Sequence, residues 1–196
     1  LYFKIKSTLL VSIYILIFII CIDILKFKEF KMYCLDLPYP EVKVQSKNPK
    51  YIDLILLNYA SSVSEFNSIA QYSYQQIILS CKNKEIYQTL SGISIVEMHH
   101  LELLGKIILM LGGDPIYCIN NKKKNYWSSK LIDYNSSSIK DILTIDINHE
   151  KAAIKQYKET ITKIDDSCIN DILKRIILDE EFHIQLLVNL YSKYVE

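Results

Sequence analysis

The chain is poor in the residues that break or staple a fold. Four glycines and four prolines among 196 residues, half of them hydrophobic, exclude a disordered, collagen-like or low-complexity protein. Five cysteines (Cys21, Cys34, Cys81, Cys118, Cys168) are an odd number, and no two form a C-x-x-C pair. That excludes a disulfide framework, a zinc ribbon and a rubredoxin-type iron site, and it suits a reducing compartment such as the cytoplasm. Cys81 and Cys168 fall at expected helix ends and receive no chemical role. Arg175 is the only guanidinium, and 23 Lys+Arg stand against 22 Asp+Glu, for a net charge of +1. A basic stripe is missing, so nucleic acid is not an expected partner.

The near-neutral total hides an asymmetry. Residues 1–31 carry five lysines against two acids, and the rest of the chain is slightly acidic, so the basic excess sits entirely in the leader. The same leader holds an apolar run from Leu9 to Ile22 broken only by Ser12. This run is shorter than the ~20 residues that span a bilayer as a helix, and no small-x-small cleavage site follows it. Met32 is the first methionine and precedes a polar, proline-containing arm over 32–48. The expected start is therefore Met32, with 1–31 an upstream extension; an uncleaved membrane anchor is the alternative.

What is abundant is helical periodicity, with apolar residues recurring at three- and four-residue spacing. One domain over 49–196 is expected, with four long helices. The first opens at Asn48-Pro49, a cap followed by proline at the first helical position, and runs to about 80. The second covers 84–111 and stops at Gly112-Gly113-Asp114-Pro115. A polar stretch over 116–138 then reads as a long crossover, its Lys122-Lys123-Lys124 triplet a solvated loop face. Helices over 139–164 and 167–194 follow. Tight links inside each pair and a long link between them predict two antiparallel hairpins, an all-α four-helix bundle.

The chemistry lies in an internal duplication. Glu65, Ile69, Gln71 and Tyr72 of the first expected helix recur at identical offsets in the third, as Glu150, Ile154, Gln156 and Tyr157. Each returning helix then carries Glu-x-x-His: Glu97 with His100 in the first half, and Glu180 with His183 in the second. Residues three apart share a helix face. At ~1.5 Å per residue, all four glutamates lie roughly 20–25 Å from their interhelical turns, so they meet at one level. One Glu-x-x-His on a helix is commonplace on a solvated face; two, each preceded by a matching Glu and Tyr, are not. His99 is expected to point elsewhere, and His149 to sit behind the ligands or at the surface. Glu181 and Asp179 are expected to be solvated or to stand behind the ligands.

Four buried carboxylates repel one another and lose hydration, a cost of several kcal/mol per ion unless charge is supplied. Two divalent cations would balance them while both imidazoles stay neutral. Oxygen-rich sites with one nitrogen per metal suit iron or manganese better than zinc.

These motifs resemble those of the ferritin-like superfamily, specifically the rubrerythrin-type di-iron domain and the manganese catalases, over about 49–194. The resemblance implies a ferritin-like bundle in which Glu97 and Glu180 bridge two metals. Glu65 and Glu150 would be terminal carboxylates, and His100 and His183 would each cap one metal. Tyr72 and Tyr157 would stand beside the site as candidate catalytic, hydrogen-bonding or redox-adjacent groups. Two departures matter. The C-x-x-C pairs of a rubredoxin domain are missing, so electrons would come from an external donor. The second carboxylate expected three residues after Glu150 is Ala153, which favours a simpler, manganese-catalase-like site. The expected function is an oxidoreductase acting on hydrogen peroxide or dioxygen, working as a homo-oligomer. The alternative is a non-catalytic, coat-like metal-binding protein.

Overall fold

The computed structural model describes residues 33–120 and 125–195. The leader over 1–31, Met32 and the lysine triplet lie outside the described residues. Among the described residues there are five α-helices: α1 (Ile52–Ala60), α2 (Glu65–Leu79), α3 (Lys84–Met110), α4 (Ile139–Ile161) and α5 (Ser167–Tyr194). Among the described residues there is no strand, only an isolated bridge between Cys118 and Tyr126. With α1 and α2 counted as one interrupted helix, this is the expected all-α four-helix bundle. α2 packs along α3 and α4 along α5, so each hairpin forms its own closest pair.

The single helix expected over 49–80 is in fact broken. It stops at Ala60, turns through an extended Ser61 (φ −88°, ψ −169°) and restarts at Glu65. Three serines in four positions explain the break, because their hydroxyls compete for backbone partners. Ser64 Oγ accepts from Asn67 N (3.2 Å) and donates to Ser61 O (2.8 Å), capping the new helix. Gln156 Nε2 crosses from α4 to donate to Val63 O (2.7 Å) and Leu57 O (3.1 Å). Asn83, Ser138 and Asp166 cap the later helices through their side chains. Gly112, at φ +87°, closes α3 in a conformation that a side chain would strain.

The crossover is fastened to the bundle. Asp133 N donates to Gln71 Oε1 (2.8 Å), and Gln71 Nε2 returns a bond to Asp133 O (3.1 Å). Trp127 Nε1 donates to Asn67 Oδ1 (3.0 Å), and Phe66 stacks on Tyr117 with ring centroids 3.9 Å apart. The two glutamines of the duplicated motif thus hold the serine break and the crossover, one each.

The apolar core is divided. One cluster joins α1 to the second half of α3 and the first half of α5, and includes Tyr157. The other joins α2, the first half of α3, the start of α4 and the end of α5, and includes Tyr72. Each buried Leu or Ile contributes about 1.5–3 kcal/mol of stabilisation. The two clusters enclose a polar layer between them.

Three buried acids lie outside the four glutamates of that layer, Asp146, Asp166 and Asp179. Asp146 on α4 is 1% exposed, and its Oδ1 accepts from Gln75 Nε2 (2.8 Å). Burial pushes its carboxyl up to about 8. The native chain therefore keeps a proton that the unfolded chain releases near pH 4, so stability falls as pH rises from ~4 to ~8. Asp146→Asn should remove that fall, giving a variant roughly 1–3 kcal/mol more stable than wild type at pH 8 and equal near pH 4. Denaturant titrations at both pH values measure it; parallel curves for the two proteins would contradict the assignment.

Candidate metal centre

The polar layer is built from all four bundle helices. Glu65 is the first residue of α2, set there by the serine break. Glu97 and His100 are one turn apart on α3, Glu150 lies midway along α4, and Glu180 and His183 are one turn apart on α5. All six side chains are buried, none more than 3% exposed. They form two overlapping groups whose ligand atoms lie within 4.8 Å of one another: Glu65, Glu97, His100 and Glu180, then Glu97, Glu150, Glu180 and His183. Glu97 and Glu180 belong to both groups.

The distances suit cations. His100 Nδ1 lies 3.2 Å from Glu180 Oε1, 3.4 Å from Glu97 Oε2 and 3.8 Å from Glu65 Oε2. His183 Nδ1 lies 3.0 Å from Glu180 Oε2, 3.1 Å from Glu97 Oε1 and 4.0 Å from Glu150 Oε1. Ligands bound at ~2.1 Å and roughly at right angles stand about 3 Å apart. The Oε1 atoms of Glu97 and Glu180 are buried with no hydrogen-bond partner, which is costly unless a cation meets them.

Both imidazoles are oriented from behind. His183 Nε2 lies 3.0 Å from the carbonyl oxygen of Tyr33, and His100 Nε2 lies 3.1 Å from Asp179 Oδ2. Each Nε2 faces an acceptor and carries the hydrogen, which turns Nδ1 towards the carboxylates. The frame is duplicated, but these supports differ: a carboxylate on one side, a backbone carbonyl on the other. Asp179 is held in turn by Arg175 Nη1 (2.7 Å), the amide of Leu35 (2.9 Å) and the Tyr39 hydroxyl. Arg175 also donates to the carbonyls of Leu35 and Leu37 and stacks over the Tyr39 ring at 4.2 Å. The arm over 33–45 is thereby strapped across the two histidines.

The tyrosines of the repeat cross over. The Tyr72 hydroxyl donates to Glu150 and the Tyr157 hydroxyl to Glu65, so each half-repeat supports the other's carboxylate. Burial, then the charges of Glu97 and Glu180, push the Glu65 carboxyl well above the ordinary range. Burial, then Glu180 and Glu97, do the same to Glu150. Burial opposes charge on His100, but hydrogen bonds to Asp179, Glu180, Glu65 and Glu97 outweigh it and raise its pKa. His183 follows the same pattern through Glu180 and Glu97. A layer that holds protons this tightly calls for positive charge, and divalent cations supply it by displacing protons. The donor set therefore fits two divalent ions.

The neighbours of the motif sort clearly. His99 turns away and meets the Tyr39 ring edge-on at 4.6 Å. His149 stands outside the layer, 2.9 Å from Ser62 O. Glu181 is exposed, 3.9 Å from Lys158 Nζ. Asp179 is not solvated: it is fully buried behind His100. Tyr39 and Arg175 were not anticipated from the sequence. The one available signal was a lone arginine spaced four residues before Asp179 on the same helix.

A family model described as a ferritin-like domain matches residues 63–194. Among solved structures, the manganese catalase KatB from Anabaena PCC7120 superposes with a TM-score of 0.72 at 22% identity, covering 81% of this chain and 78% of that one. The bacterioferritin of Desulfovibrio desulfuricans gives 0.62 at 22% identity over 74% and 81% of the two chains. That of Rhodobacter capsulatus gives 0.60 at 22% identity over 76% and 89%. No curated protein sequence matches the chain.

The unequal histidine supports carry a prediction. Asp179→Asn should weaken the ion on the His100 side by ~10–100-fold and leave the His183 side near its original affinity. Competition against a chelator reads both steps; equal weakening of the two would contradict the asymmetry.

Proposed function

The chain belongs to the ferritin-like domain family, and on that premise we propose that it is a dinuclear iron or manganese oxidoreductase acting on hydrogen peroxide or dioxygen. The observation that carries this reading is the sharing of Glu97 and Glu180 between two buried four-residue groups. Shared carboxylates would hold two ions close enough for one small molecule to meet both. In this reading His100 and Glu65 would hold one ion and His183 and Glu150 the other, with Glu97 and Glu180 shared between them.

Bound there, a pair of redox-active ions would supply the two-electron exchange with peroxide. The chain does the rest. Its two apolar clusters exclude bulk water from the layer, which strengthens every electrostatic contact inside. Tyr72 and Tyr157 fix the orientation of Glu150 and Glu65 and place two phenols beside the reacting atoms. Asp179 and the Tyr33 carbonyl keep the imidazoles turned inward. Two peroxides then give two waters and one dioxygen; with an external donor, one peroxide takes two electrons and two protons to give two waters. Ala153, buried on α4 where a further carboxylate would stand in rubrerythrins, supports the simpler, manganese-catalase-like variant.

A homo-oligomer in the cytoplasm is part of the proposal. Tyr87, Ile95, Met98 and Leu109 form an exposed stripe on α3, 37–59% accessible, that a second copy would cover. The cysteines among the described residues form no disulfide, and none of the described helices is long and apolar enough to cross a membrane.

The protein loaded with manganese or iron should consume hydrogen peroxide, evolving oxygen without a reductant or requiring one. Glu97→Ala with Glu180→Ala should lose both ions and all turnover while keeping its helix content, read by metal analysis, an oxygen electrode and circular dichroism. Two ions bound with no peroxide consumption under either condition would leave a metal-binding structural protein and overturn the enzymatic reading.

A further inference from the structure

His183 leans on a group that no side chain supplies. Its Nε2 lies 3.0 Å from the carbonyl oxygen of Tyr33, so the backbone of the arm aims this imidazole. The place of that carbonyl depends on what holds the arm there. Just downstream, the Leu35 amide donates to Asp179 Oδ1 (2.9 Å), and Arg175 Nη2 donates to Leu35 O (2.8 Å) and Leu37 O (3.0 Å). Those bonds serve the His100 side, where His100 Nε2 faces the same Asp179. At Tyr33 itself the ring is partly buried, packed on the apolar cluster that includes Ile86, Leu90 and Ile93 of α3.

A missing side chain makes the seat for that ring. α3 carries two interior glycines, Gly92 and Gly105, each costing about 0.5–1 kcal/mol relative to alanine. At Gly105 a Cβ would make ordinary contacts, the nearest at 3.5 Å to Tyr59 Cε2. At Gly92 it would fall inside the Tyr33 ring, against Cγ as well as Cδ2 and Cε2. Rotation about χ2 leaves Cγ where it is, so the whole ring would have to leave or the arm to retreat. Gly92 stands five residues before Glu97 and is no ligand.

On the dinuclear reading given above, we propose that Gly92 and Tyr33 form a latch that positions His183. The ring seated on α3 sets the Tyr33 carbonyl, the carbonyl holds Nε2, and Nδ1 is kept 3.0–4.0 Å from Glu180, Glu97 and Glu150. Tyr33 is thus a positioning residue for the ion beside His183. By linkage, a docked arm strengthens the hold on that ion, and the ion holds the arm down by the same factor.

Gly92→Ala tests the latch. Alanine is the better helix former, yet the variant should hold the His183-side ion ~10–100-fold more weakly and the His100-side ion near its original affinity. Chelator competition gives the fold-change, and anomalous peaks from crystals grown at limiting manganese show which side loses occupancy. Tyr33→Ala should weaken the same ion, and Gly92→Ala should then add nothing, because the ring it would strike is gone. Unchanged affinities, an equal loss on both sides, or full additivity of the two substitutions overturns the latch. If Gly92→Ala fails to fold, the asymmetry in Tyr33→Ala decides. A wild-type protein that binds fewer than two ions defeats the dinuclear reading and the latch with it; two ions indifferent to these substitutions defeat the latch alone.

Discussion

Everything in this fold answers to one constraint: four carboxylates and two imidazoles share a single layer that water does not reach. Placing that much potential charge between two apolar clusters costs several kcal/mol per ion unless it is neutralised. The packing of Leu, Ile and Val above and below the layer offsets part of that cost and also creates it, by keeping solvent out. The raised proton affinities of Glu65, Glu150, His100 and His183 express the same demand. Two divalent ions would meet it with a charge that matches four carboxylates.

Irregular structure is placed where that layer needs it. The serine break starts α2 at Glu65, and Gln156 secures the break. The crossover is tied to α2 through Gln71, over a cavity lined in part by Tyr72. The arm closes over the opposite side, where Tyr33 and Tyr39 meet the outward nitrogens of His183 and His100. A duplicated hairpin thus acquires two unlike faces: one strapped and charged at Arg175 and Asp179, the other hollow and lined in part by hydroxyls, two amides, two acids and His149.

Much of this was legible in the sequence because it follows from helical periodicity. Glu-x-x-His at three-residue spacing fixes one face of a helix, and the recurrence of Glu65 and Tyr72 as Glu150 and Tyr157 implies two equivalent hairpins. The break at Ser61–Ser64 was not legible in the same way, since apolar spacing continues on both sides of it. Only the cluster of serines, a local competition for backbone bonds, marked the place. The support of His100 by Asp179, Arg175 and Tyr39 lies further out of reach: Tyr39 is far from His100 along the chain and belongs to a segment without periodicity. The crossing of Tyr72 to Glu150 and Tyr157 to Glu65 depends on how the hairpins dock, which no spacing within either one specifies.

The central claim is that six side chains form one cage around two ions. Anomalous diffraction from crystals grown with manganese or ferrous iron tests it most directly. The account predicts two peaks, one beside Nδ1 of His100 and one beside Nδ1 of His183, each at ~2.0–2.3 Å, with Glu97 and Glu180 touching both. A single peak, or ions bound away from these residues, would contradict it.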